Sequence, residues 1–119
     1  MNLSVAARHD GPLMRFEVQG PWRNGDALKL AYFIKATVAR LHEDHVLLDL
    51  RGVKTPPGAD GKFLICDRLR RALQPHVRIG LVGTAELVDT DFVPVDPSQC
   101  ADVAVFGAET EALHWLTEA

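Results

Sequence analysis

The 119-residue sequence has few cysteines and no long hydrophobic run. Its two cysteines, Cys66 and Cys100, are too few for a disulfide framework or a cysteine-rich metal cluster, so reduced structural thiols are expected. No apolar stretch approaches the roughly 20 residues that a membrane-spanning helix needs. The first residues, MNLSVAARHD, lack the basic-then-apolar pattern of a signal peptide. We therefore expect a cytoplasmic protein without a transmembrane segment.

The sequence also lacks an excess of positive charge and the common catalytic motifs. With a formal net charge of -3, it gives no reason to expect nucleic-acid binding. It contains no Gly-x-Ser-x-Gly elbow, no HExxH motif and no Cys/His signature, so no catalytic residue, metal or cofactor is predicted. His42 and His45 bracket Glu43 and Asp44, which invites a metal hypothesis. Solvated histidines at a helix end are the favoured interpretation, because a helix end between them gives no rigid ligand face.

What the sequence does contain is one orderly alternation of strand and helix patterns, which predicts a single α/β domain over residues 1–119. Strands are predicted at Leu3–Arg8 and Leu13–Val18, with His9 to Pro12 forming a hairpin turn. The apolar run Val46–Leu50 predicts a central strand with parallel neighbours. Further strands are predicted at Val77–Val82 and Val103–Phe106.

Three helices are predicted between these strands. The first runs from a cap at Asn24 or Asp26 to about Glu43, and the second from about Asp60 to Leu73, where Pro75 prevents its continuation. The third is the closing segment GAETEALHWLTEA, in which Trp115 is expected to anchor the core. The buried face of the first helix is predicted to consist of Ala27, Leu30, Ala31, Ile34, Val38 and Leu41. Residues 84–101 contain two prolines and are predicted to form a loop with at most a short helix.

Three stretches carry a family resemblance: LLDLRGV at 47–53, RIGLVG at 78–83, and VAVFGAETEALHWL at 103–116. Through them the chain resembles the SpoIIAA-like group of bacterial proteins, which is related in fold to STAS domains and to the lipid-binding SEC14 domain. The resemblance implies a mixed, mainly parallel sheet with helices on its faces. It also implies a non-enzymatic, cytoplasmic interaction or regulatory module that binds a protein partner and forms a homodimer. Its relation to SEC14 implies an alternative, a protein that binds a small apolar ligand or a lipid.

The loop after the central strand departs from that family pattern. STAS anti-sigma-factor antagonists carry a phosphorylatable Ser followed by Gly at the start of the next helix, whereas this loop reads TPPGADGKF. It has no Ser, and Thr55 precedes two prolines. We therefore predict that this loop is not a phosphorylation switch. Gly58, Gly61 and Lys62 form a candidate anion cradle, although a turn made by Pro and Gly is the favoured interpretation.

A second set of candidate residues is apolar and lies off the predicted core faces. Leu28, Tyr32 and Ala36 line one flank of the first helix, and Phe63 and Leu64 lie near the start of the second. Such exposed apolar surface is typical of a dimer interface or an apolar-ligand site, and it also occurs in ordinary edge packing. Asp49 and Arg51 are predicted to mark a crevice at the strand end or, more commonly, to form a surface ion pair.

Overall fold

The computed structural model of this chain describes residues 3–11, 13–23, 25–41, 44–55, 67–73, 77–83 and 102–117. They form one five-stranded sheet in the order β1-β2-β3-β4-β5. The strands are β1 (Ser4–Asp10), β2 (Leu13–Pro21), β3 (His45–Thr55), β4 (Arg78–Val82) and β5 (Asp102–Phe106). Among the described residues, the helices are α1 (Asp26–Leu41) and α2 (Glu109–Thr117), and residues 67–72 are also helical.

The predicted mixed, mainly parallel sheet is confirmed. β1 runs antiparallel to β2, and β2, β3, β4 and β5 are parallel to their neighbours. The turn between β1 and β2 contains Gly11 with φ of 61°, a left-handed conformation that glycine adopts without steric cost. The predicted hairpin is therefore present, with Asp10 opposite Leu13.

The first face of the sheet is covered by α1 and residues 67–72. Alternate residues of β2, namely Met14, Phe16 and Val18, point to this face and join one core cluster with the buried stripe of α1. The stripe is the predicted one: five of its six residues are buried and Leu41 is partly buried. At the start of α1, the carboxylate of Asp26 accepts a hydrogen bond of 2.8 Å from the backbone N–H of Arg23, as in a helix capping arrangement.

The second face of the sheet is covered in part by α2. Ala112 and Leu116 pack on Leu13, Leu47 and Val82. Gly80 lies beneath the helix: a Cβ atom there would be 3.4 Å from the Leu116 Cδ1 atom, which is van der Waals contact. Trp115 is only partly buried, so its predicted place as a core anchor is wrong. Its ring lies at the border of the cluster, against Phe106 and under the Arg78 guanidinium.

Three strands extend beyond their predicted ends: β1 to Asp10, β2 to Pro21 and β3 to Thr55. β3 continues to Thr55 because it keeps pairing with β2 past Asp49, with shifts in register between Glu17 and Gln19 and again at Gly20. Gly52 permits this close approach, since a Cβ atom there would be 2.7 Å from the Gln19 Cγ atom. The end of α1 predicted near Glu43, the first half of the second helix, both cysteines and the loop over 84–101 lie outside the described residues.

Candidate functional site

The predicted site residues divide into two groups. Leu28 and Tyr32 are described and lie exposed on α1. Thr55 is the last residue of β3, and its side chain is not among those described. Gly58, Gly61, Lys62, Phe63 and Leu64 lie outside the described residues. The anion cradle therefore stays a prediction, and the structure directs attention to the surface of α1.

All the exposed large hydrophobic side chains of the described residues lie on α1. Leu28 is 40% exposed, Tyr32 is 59% exposed and Phe33 is 40% exposed. Phe33 was not among the predicted site residues, because its position borders the buried stripe of the helix. A cluster of exposed hydrophobic side chains is typical of a binding surface, whereas single scattered ones are common on any protein.

The charges on the exposed side of α1 are all positive. Lys29, Lys35 and Arg40 are exposed, and the one acidic residue of the helix, Asp26, is buried at its first turn. This arrangement contrasts with the chain as a whole, whose formal net charge is -3. α1 therefore presents exposed apolar groups within a locally positive surface.

One flank of α1 forms a groove with the helical residues 67–72. The groove holds about 180 Å³ and is lined by Leu28, Ala31, Tyr32, Lys35, Arg68, Arg71 and Ala72. We call this surface the basic groove. Arg71 donates to Asp67 one turn earlier at 3.2 Å, a pair on the exposed side of the helix. Among the described residues, the three cations that line the groove outnumber the one carboxylate paired with them, so this surface favours acidic groups.

The other flank of α1 forms a second groove with the edge strand β1. This groove holds about 490 Å³ and is lined by Ala7, Arg8, His9, Met14, Phe33, Ala36, Thr37, Arg40 and Leu41. We call it the edge groove. Phe33 is held there by an edge-to-face contact with Phe16, with ring centroids 6.0 Å apart. The Thr37 hydroxyl donates to the Phe33 carbonyl at 3.0 Å, so that hydroxyl is already engaged.

Four charged side chains form a network where α2 begins. Asp49 and Arg51 make the predicted surface pair, in which Arg51 donates to both carboxylate oxygens at 3.0 and 2.9 Å. Glu109 accepts from Arg51 at 3.2 Å and also from Arg15, whose side chain is only 8% exposed. The network thus balances two cations with two carboxylates, and we interpret it as the attachment of α2 to the sheet.

The pKa values of both carboxyl groups reflect this pairing. Burial raises the pKa of Asp49, but the hydrogen bonds from the side chain and backbone of Arg51 outweigh it and hold the pKa below 3.8. The hydrogen bond from Arg15 lowers the pKa of Glu109 below 4.5, with further help from the charge of Arg51. Both groups are therefore stabilised as carboxylates in the folded protein.

The described residues show neither a metal cluster nor a membrane-spanning helix. Within the described ranges, no three His, Cys, Asp or Glu side chains group in a way that would hold a metal ion. No helix of those ranges is long and apolar enough to cross a membrane.

Comparison with solved structures identifies the fold. The chain is similar to an anti-sigma factor antagonist from Mycobacterium paratuberculosis, with a TM-score of 0.67 and 13% sequence identity over 98% of this chain and 95% of the other. It is also similar to an uncharacterised DUF3478-family protein with a SpoIIAA-like fold from Shewanella loihica PV-4, with a TM-score of 0.50 and 13% identity. That match covers 97% of this chain and 94% of the other.

These two likenesses show a SpoIIAA-like fold, as the sequence resemblance predicted. At 13% identity they bear on the fold alone. The sequence itself matches no protein-family model. It also matches no curated protein.

Proposed function

We propose that this protein is a non-enzymatic, cytoplasmic interaction or regulatory module of SpoIIAA-like fold that binds an acidic protein partner through the basic groove. One observation carries the proposal: Leu28 and Tyr32 are exposed beside Lys35, Arg68 and Arg71. Exposed apolar side chains supply binding energy when a partner covers them, and the surrounding cations select a partner of opposite charge.

The shape of the groove favours a protein over a membrane. A groove of about 180 Å³ between two helical segments accepts an inserted side chain, which a flat lipid surface does not offer. Tyr32 at its edge is of the residue type most common at the energetic centres of protein interfaces. The anti-sigma factor antagonist of similar fold gives a precedent for a regulatory role on this scaffold.

A second copy of this chain fits the basic groove less well. A two-fold contact through the groove would bring Lys35 and Arg68 near their own copies, and like charges across an interface oppose binding. The homodimer that the resemblance implies stays a prediction, and this argument requires it to form through another surface. Light scattering measures the oligomeric state, and a monomer at high concentration would contradict the predicted homodimer.

Photo-crosslinking in the cells that express the full chain tests the proposed function. Tyr32 is replaced by p-benzoylphenylalanine, and Glu111, exposed on α2, is replaced in a matched control. We expect a specific protein adduct from position 32 that the control does not give. Adducts to lipid alone, to this chain alone or to nothing would overturn the proposal.

A further inference from the structure

We propose that the edge groove binds a single-chain amphiphilic anion, such as a medium-chain fatty acid. This site lies on the opposite flank of α1 from the basic groove, and the two grooves share no lining residue among those that the structure describes. The two proposals therefore stand or fall separately.

The edge groove exists because small side chains line both of its walls. β1 contributes Ala7, which pairs with Phe16 of β2, and α1 contributes Ala36. Since neither methyl group reaches across, a space of about 490 Å³ remains between the strand and the helix. That volume falls within the range of about 300 to 1,000 Å³ that is typical of small-ligand pockets.

The interior of the groove suits a hydrocarbon chain. Its apolar lining includes Met14, which is buried, together with Phe33 and Leu41. The Thr37 hydroxyl is already committed to the backbone carbonyl of Phe33, so it gives a ligand no new donor. An alkyl chain loses no hydrogen bond when it leaves water for this apolar part of the lining.

The rim of the groove suits an anionic headgroup. Arg40 lies in the last turn of α1 and His9 near the end of β1, and both side chains are exposed. Arg8, which also lines the groove, forms an ion pair with Glu17 at 2.9 Å. An arginine that is always charged, beside an apolar groove, complements a carboxylate attached to an alkyl chain.

Calorimetric titration of the full chain with dodecanoate, below its micelle concentration, tests this site. We expect saturable one-to-one binding. Ala36→Trp places a large ring in the groove and should weaken binding at least tenfold. The matched control Ala39→Trp makes the same change at an exposed position of α1 outside the groove and should leave affinity within twofold.

A second pair of variants tests the headgroup contact. Arg40→Gln should weaken dodecanoate binding at least fivefold, and Lys29→Gln, also on α1 but outside the groove, should not. Dodecyltrimethylammonium, with the same chain and the opposite charge, should bind more weakly than dodecanoate. Absence of saturable binding to the wild type, equal effects of Ala36→Trp and Ala39→Trp, or equal affinity for both amphiphiles would each overturn the proposal.

Discussion

Arg15 of β2 and Glu109 of α2 form a hydrogen-bonded ion pair although 94 positions separate them in the sequence. The Arg15 side chain is only 8% exposed, and the carboxylate of Glu109 is a partner that offsets its charge. Removing one member of a buried ion pair leaves the other charge uncompensated, which is more costly than removing both.

Glu109→Ala should therefore destabilise the protein by about 2 kcal/mol, less than for a fully buried pair because water reaches the Glu109 side chain. Glu111→Ala is the matched control. It removes an acidic residue from the same helical turn and should cost only about 0.5 kcal/mol through the helix dipole. Urea unfolding measures both, and equal losses would contradict the assigned role of Glu109.

The lowered pKa values of Asp49 and Glu109 predict loss of stability in acid. A carboxyl group whose pKa is lower in the folded state binds more protons when unfolded. Its contribution to the free energy of unfolding is complete well above its ordinary pKa, which is 3.8 for Asp49 and 4.5 for Glu109. That contribution disappears as the pH falls through the lower pKa of the folded state. The unfolding free energy of the Asp49→Asn/Glu109→Gln variant should depend less on pH than that of the wild type below about pH 4.5. Equal pH dependence of the unfolding free energy in the variant and the wild type would contradict a stabilising role for these two carboxylates.

Trp115 should contribute less to stability than a core tryptophan. Its ring is partly buried, packs on Phe106 at 5.6 Å between centroids, and lies 4.1 Å from the Arg78 guanidinium carbon. Trp115→Ala should cost about 2 kcal/mol, below the 3 to 5 typical of a fully buried aromatic residue. Arg78→Met, which keeps an apolar side chain over the ring, should cost about 0.5 to 1 kcal/mol. Thermal unfolding measures both variants, and a loss at Trp115 as large as for a core residue would restore its predicted anchoring role.

The absence of a phosphorylatable Ser from TPPGADGKF still predicts that this loop is not a kinase-controlled switch. Incubation with a cytosolic extract and ATP, followed by phosphopeptide mapping, should find no stoichiometric modification of Thr55. Stoichiometric modification of Thr55 together with a changed partner affinity would show the prediction to be wrong.

Local patterns predicted the fold better than the site. The spacing of Leu30, Ile34 and Val38 fixed the buried face of α1, because only one face of a helix can contact the sheet. The contact between Arg15 and Glu109 depends on α2 returning to the second face, which no local pattern encodes. Trp115 shared the apolar spacing of α2, but the helix covers only part of that face and leaves its ring at the border.

The sequence predicted some of the residues that line the two grooves, but not how those residues are arranged around α1. Leu28 and Tyr32 were predicted to lie off the core, and the structure shows them exposed. The position of Arg68 and Arg71 beside α1 depends on tertiary packing, which the sequence pattern does not show. The sequence of α1 did contain a signal for a positively charged surface, because the helix has three basic residues and a single acidic residue, which lies in its first turn.

The affinity of the crosslinked protein partner for charge-reversed variants tests the proposed function most directly. Lys35→Glu/Arg68→Glu reverses two cations of the basic groove, while Lys29→Glu reverses a cation on α1 outside it. With circular dichroism confirming that all variants are folded, the double variant should bind at least tenfold more weakly than the wild type, and Lys29→Glu within twofold of it. An unchanged affinity of the double variant, or an equal loss in Lys29→Glu, would contradict the assignment of the basic groove as the partner site.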